Sequence, residues 1–122
     1  MRLTKSEKKE IKRLLRELVV ARDGEKCLRC GRTDTLQMSH IYSVGQEKKL
    51  EYDEDNLKLL CLRCHLYWWH KEPLEASEWI KKVIPKERLQ RLHLRKISNA
   101  KNPMDYKLLK LYLENKIKEY TK

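Results

Sequence analysis

Two short cysteine pairs constrain this chain more than any other feature: Cys27-Leu28-Arg29-Cys30 and Cys61-Leu62-Arg63-Cys64. A Cys-x-x-Cys turn presents two thiolates at the separation a tetrahedral zinc ion requires. Two such turns close the ion's shell and leave no open position, the mark of a structural site. The matched spacing makes redox chemistry the weaker reading of either pair. Zinc on Cys27, Cys30, Cys61 and Cys64 would pin Cys30 beside Cys61 and fold the chain between them into a hairpin. The remaining sequence needs such a tie. It has 122 residues, no phenylalanine, 39% charged residues and a mean hydropathy of −0.83. The core is therefore small, and zinc binding adds folding free energy on the order of 10 kcal/mol in such domains. A single domain over residues 1–122 is expected.

The net charge is +11 and the sequence pI about 9.6, which points to a polyanionic partner, most simply nucleic acid. A merely soluble lysine-rich surface would spread its charge. Here Lys81, Lys82, Lys86, Arg88, Arg91, Arg95, Lys96 and Lys101 are interrupted by one acid, Glu87, whereas the segment from Glu47 to Asp55 is acidic on balance. Lys81, Lys82, Arg88, Arg91, Arg95 and Lys96 are the expected nucleic-acid contacts. No apolar run is long enough to span a bilayer, and "MRLTKSEKKEIKR" carries no apolar signal region. Reduced thiols in close pairs then fit a cytoplasmic protein.

Helical spacing of Ile11, Leu14, Leu15, Leu18 and Val19 predicts a helix from Lys5 to Ala21, opened by a Thr4/Glu7 capping box and stopped by Asp23-Gly24. Strands are expected at Leu36–Ile41 and Leu57–Leu60. A helix starts near Cys61 or Leu62 and ends before Pro73. "LEASEWIKKVI" and "KERLQRLHLRKI" are helices that follow prolines at first-turn positions. "SNAKN" is a linker, and Asn102-Pro103 opens a last helix with Tyr106, Leu109, Leu113, Ile117 and Tyr120 on one face. That face would serve as a homodimer surface or dock on the first helix. The fold class is α+β and mostly helical: an N-terminal helix (1–22), a zinc-bearing core (23–72) and a basic helical extension (73–122).

The words "ARDGEKCLRCG", "SHI" and "DNLKLLCLRCH" fall in the order found in the HNH endonucleases, and the chain resembles that family from about Val20 to His70. "HIYSVGQEKKLEYDEDN" and "CHLYWWHKEPLEASEWI" further resemble the phage NinG/Rap-like subgroup. The resemblance implies a ββα-metal fold and hydrolysis of DNA phosphodiesters with one divalent ion, Mg²⁺ or Mn²⁺, beside the structural Zn²⁺. It implies His40 as general base, an imidazole of ordinary pKa roughly 6.5 being partly neutral at physiological pH. It implies His65 as ligand of the catalytic ion, and Asn56 as the residue that ties down the inter-strand loop. Many members carry Asp or His before the base. This chain has Ser39, which could hold the ion only through a water, so Glu54 and Asp53 are secondary candidates. His70, five residues after His65, falls about 140° away on a regular helix and is expected to contact phosphate rather than share an ion. Trp68, Trp69 and Trp79 are expected in the core rather than as stacking platforms. The alternative function is a non-catalytic zinc-knuckle DNA-binding module, which Ser39 favours. A protein-assembly role is a third.

Overall fold

The computed structural model describes residues 2–98 and 105–121. Lys101, Asn102 and Pro103, and with them most of the expected linker and the start of the last helix, lie outside the described residues. The first helix, α1 (Lys5–Asp23), opens on the expected capping box: the Glu7 N–H donates to Thr4 Oγ1 at 3.2 Å and the Thr4 N–H to Glu7 Oε1 at 2.9 Å. It runs two residues beyond Ala21, and Gly24, at φ 90°, supplies the positive-φ backbone that ends it.

Strands β1 (Leu36–His40) and β2 (Leu57–Cys61) form an antiparallel ribbon, with Ser39 opposite Lys58 and His40 opposite Leu57. Alternation divides the ribbon's two faces. Leu57 and Leu59, with Met38 beside them, join Ile11, Leu14, Leu15, Leu18 and Val19 of α1 in the main core. Gln37, Ser39, Lys58 and Leu60 turn the other way. Past β2 a single turn, α2 (Leu62–Cys64), runs into a π-helical turn, His65–Trp69. The expected regular helix is thus replaced by a wider one. Helices α3 (Pro73–Val83), α4 (Lys86–Ile97) and α5 (Tyr106–Tyr120) complete the order. No described helix is long and apolar enough to cross a membrane.

Leu109 and Leu113 bury against α1, with Tyr106, Tyr112 and Ile117 packed around them, while Tyr120 stays exposed. The apolar stripe of α5 is therefore taken up within one chain. Helix α4 is held differently. Asp53 and Asp55, from the loop before β2, accept from Arg95 at 2.7 and 2.9 Å, and Arg91 lies 3.4 Å from Asp55. Arg88 is buried and donates to the carbonyls of Asp55 (3.0 Å) and Leu57 (2.7 Å). From α1, Arg22 reaches the carbonyls of Glu54 and Leu57 at 2.8 and 2.7 Å.

Asp55 carries much of this docking. Burial alone would raise its pKa, but the hydrogen bonds and charges of Arg91 and Arg95 outweigh that and hold it below the ordinary carboxylate value. A carboxyl whose pKa is lower in the folded state contributes stability above its unfolded pKa, and that stability is lost as the pH falls through the folded value. Asp55→Asn should therefore lower stability at pH 7 by about 1.5 kcal/mol, the loss of charge-assisted hydrogen bonds, and flatten the decline on acidification below a pH of about 4. Urea unfolding of both proteins across that range checks this, and an unchanged midpoint at pH 7 would contradict it.

Candidate zinc centre and histidine site

The four cysteine sulfurs lie within 4.8 Å of one another, and Cys30 and Cys61 are 3.7 Å apart. Local backbone geometry builds this cluster. Gly31, at φ 79°, closes the first turn with its N–H on the Cys27 carbonyl, and the Leu28 N–H donates to Leu59 of β2, so the knuckle is fastened to the ribbon. The second turn is α2, placed by the end of β2. Burial would raise the Cys27 pKa, but backbone N–H groups of Cys30, Cys61 and Arg29 bring it down to about 7. Burial pushes Cys64 up to about 12. These donors fit zinc: four thiols in tetrahedral reach, one already close to ionisation, so binding would expel protons. Arg29 stacks on Trp68 (3.9 Å to the ring centre) and donates to the Cys64 sulfur. Trp68 is buried, and Trp79 meets it edge-on at 5.1 Å.

The π turn forms the second site. Its i→i+5 bond, His70 N–H to the His65 carbonyl at 3.3 Å, widens the helix, so that residues five apart come into line. His65 and His70 consequently face each other with Nε2 atoms 3.1 Å apart. This corrects the expectation from a regular helix that the two point apart. Gln37 Oε1 accepts from His65 Nδ1 at 2.7 Å, which leaves the neutral ring's lone pair on Nε2. Burial, then the charges of His70, Lys58 and His40, lower the His65 pKa to about 4, so it is neutral at physiological pH. Metal–imidazole bonds of about 2.0–2.1 Å put two ligands of one ion about 2.9 Å apart at a right angle and about 3.4 Å apart in a tetrahedron. The His65–His70 spacing falls between, so this pair fits a divalent ion.

His40 ends β1. Its Nε2 lies 3.1 Å from the Glu51 carbonyl, an obligate acceptor, so Nε2 carries the proton and Nδ1 the lone pair. Asn56 is fully buried, accepts from the Tyr42 N–H at 2.7 Å and donates to the carbonyls of Tyr42 and Leu50 at 3.0 and 3.1 Å. Its three side-chain hydrogen bonds all go to the loop that carries Glu51. Ser39 is also buried, with its hydroxyl on Lys58 Nζ at 2.9 Å. Glu54 accepts from the Tyr112 hydroxyl on α5, and Asp53 pairs with Arg95. Ser39, Asp53 and Glu54 are thus each hydrogen-bonded to a group other than a histidine. Of the basic candidates, Arg88, Arg91 and Arg95 are committed to the Asp53–Asp55 loop. Lys81 and Lys82 remain exposed, and Lys96 lies over Tyr42, 4.8 Å from the ring centre. Gln37, Lys58 and the Glu51 carbonyl belong to the site without having been singled out in the sequence.

Residues 27–67 match the family model of the HNH endonucleases. The match spans both knuckles, both strands and the first part of the π turn. It leaves α1 and the three C-terminal helices outside. No curated protein and no solved structure shows significant similarity to the chain.

Cys61→Ser should abolish the cooperative thermal transition and the bound zinc together, since the two turns close one site. Metal analysis and circular dichroism read both, and a folded, zinc-free variant would contradict the assignment.

Proposed function

We propose that this protein is a metal-dependent HNH endonuclease that hydrolyses DNA phosphodiester bonds. The observation that carries the reading is the tautomer imposed on His40: Nε2–H is fixed on the Glu51 carbonyl, and the Nδ1 lone pair is left as a base. In this reading His40 takes the proton of the attacking water. Asn56 acts at one remove, because it holds the Leu50 carbonyl and so the position of Glu51 next to it. His65 and His70 would hold the divalent ion, with Gln37 orienting His65. Such an ion, when bound, polarises the phosphoryl group and stabilises the leaving oxygen. Two imidazoles suit Mn²⁺ better than Mg²⁺, which prefers oxygen ligands.

Lys81, Lys82 and Lys96 would contact phosphates, with steep salt dependence and weak sequence preference. The likeness to the phage NinG/Rap-like subgroup and a cytoplasmic setting belong to the same proposal. A specific observation favours a second reading, a non-catalytic DNA-binding zinc module: the residue before His40 is a serine, and its hydroxyl is already hydrogen-bonded to Lys58.

Cleavage of supercoiled plasmid separates the two. The proposed enzyme nicks or linearises plasmid with Mn²⁺, is stopped by EDTA, and loses at least about 100-fold in rate on His40→Ala with zinc content and DNA binding intact. Salt-sensitive binding with no cleavage of plasmid or branched DNA under any divalent ion would establish the module instead.

A further inference from the structure

The two cysteine turns share one sequence, Cys-Leu-Arg-Cys, yet their arginines are placed differently. Arg29 of the first turn reaches across to the second. Its Nη1 donates to Cys64 Sγ at 3.5 Å, and its guanidinium lies 3.9 Å from the centre of the Trp68 ring. Cys64 and Trp68 are buried, while Arg29 is exposed. Among the described residues Arg29 is the one charged side chain hydrogen-bonded to a cysteine sulfur. Arg63 holds the matching position in the second turn. It too is exposed, and its side chain makes no hydrogen bond, ion pair or ring contact among the described residues.

A dication held by these four thiolates would carry two net negative charges. A guanidinium stays protonated throughout the physiological pH range, and a hydrogen bond between an ionised donor and an ionised acceptor is stronger than a neutral one. Stacking on Trp68 fixes the direction of the planar group, so its charge is aimed at one sulfur rather than left free in solvent. We propose that Arg29 is the counter-charge of the zinc centre, a positioning residue that offsets part of the tetrathiolate's charge and slows loss of the ion. Through Trp68 it also ties that centre to the π turn. The proposal rests on the assignment of zinc to the four cysteines. Arg63 has no part in it, although the local sequence is the same.

Transfer of zinc from the full chain to excess pyridylazoresorcinol, a colorimetric zinc chelator, tests this. The wild type is compared with Arg29→Met, Arg29→Gln, Arg29→Lys and Arg63→Met, and circular dichroism checks each fold before the chelator is added. Met keeps an apolar stem over Trp68 and removes the charge and the donor. Gln provides a second charge-free variant if Met fails to fold. The charge-free Arg29 variants should release zinc at least about tenfold faster, the scale on which partners of metal ligands alter affinity, and Arg63→Met should stay within about twofold of wild type. Arg29→Lys keeps the charge and should recover part of the difference. Charge-free Arg29 variants that release zinc at the wild-type rate, or no faster than Arg63→Met, would overturn the role of Arg29 and leave the zinc centre standing. A lysine variant as fast as the charge-free ones would overturn the part assigned to charge. A wild-type chain that is folded without zinc would overturn both the role and the centre.

Discussion

The convergence of four thiols within 4.8 Å is the constraint on which the rest of the molecule depends. Cys27 and Cys30 sit on a tight turn outside the ribbon. Cys61 ends β2, and Cys64 ends the short helix after it. Any ion that gathers these four fixes the end of β2, and hence where the chain enters the π turn with His65 and His70. The same register sets Ser39 against Lys58 and leaves His40 at the end of β1. A few residues of regular structure thus place two candidate sites, a cluster of four thiols and a pair of facing imidazoles.

The second organising interaction is electrostatic. The acidic loop from Asp53 to Asp55 and the basic helix α4 neutralise each other, and half-buried Arg22 and buried Arg88 donate to backbone carbonyls of that loop and of β2. Asn56 completes its internal bonding. The loop must be rigid because the Glu51 carbonyl fixes the proton on His40. Three of the six basic residues expected to contact nucleic acid, Arg88, Arg91 and Arg95, are therefore used to build the site, and Lys81, Lys82 and Lys96 are left of that set.

The readable parts of the sequence were those governed by local rules. The Thr4/Glu7 box, the stop at Gly24, the α1 stripe and the paired cysteines each follow from nearest-neighbour chemistry, and the structure carries them all. Asn56 hydrogen-bonds Tyr42 and Leu50 of the inter-strand loop. The π turn was not readable, because one extra backbone unit in a helix has no distinct residue signature, and it moves His70 from the far side of His65 to face it. Ser39 could not be placed without its cross-strand partner. A signal for Lys58 was present: a lysine inside "NLKLLC" interrupts a strand otherwise apolar throughout, and such a strand is covered on both faces. The partners of Arg88, Arg91 and Arg95 depend on tertiary docking, which charge counting along one helix does not show.

The most direct test of the account is a crystal structure of the cleavage-impaired His40→Ala chain with duplex DNA and Mn²⁺, with the anomalous signal measured. The account predicts a manganese peak between His65 Nε2 and His70 Nε2 and a phosphate beside position 40. A manganese-free histidine pair, or DNA lying away from it against α4, would contradict it.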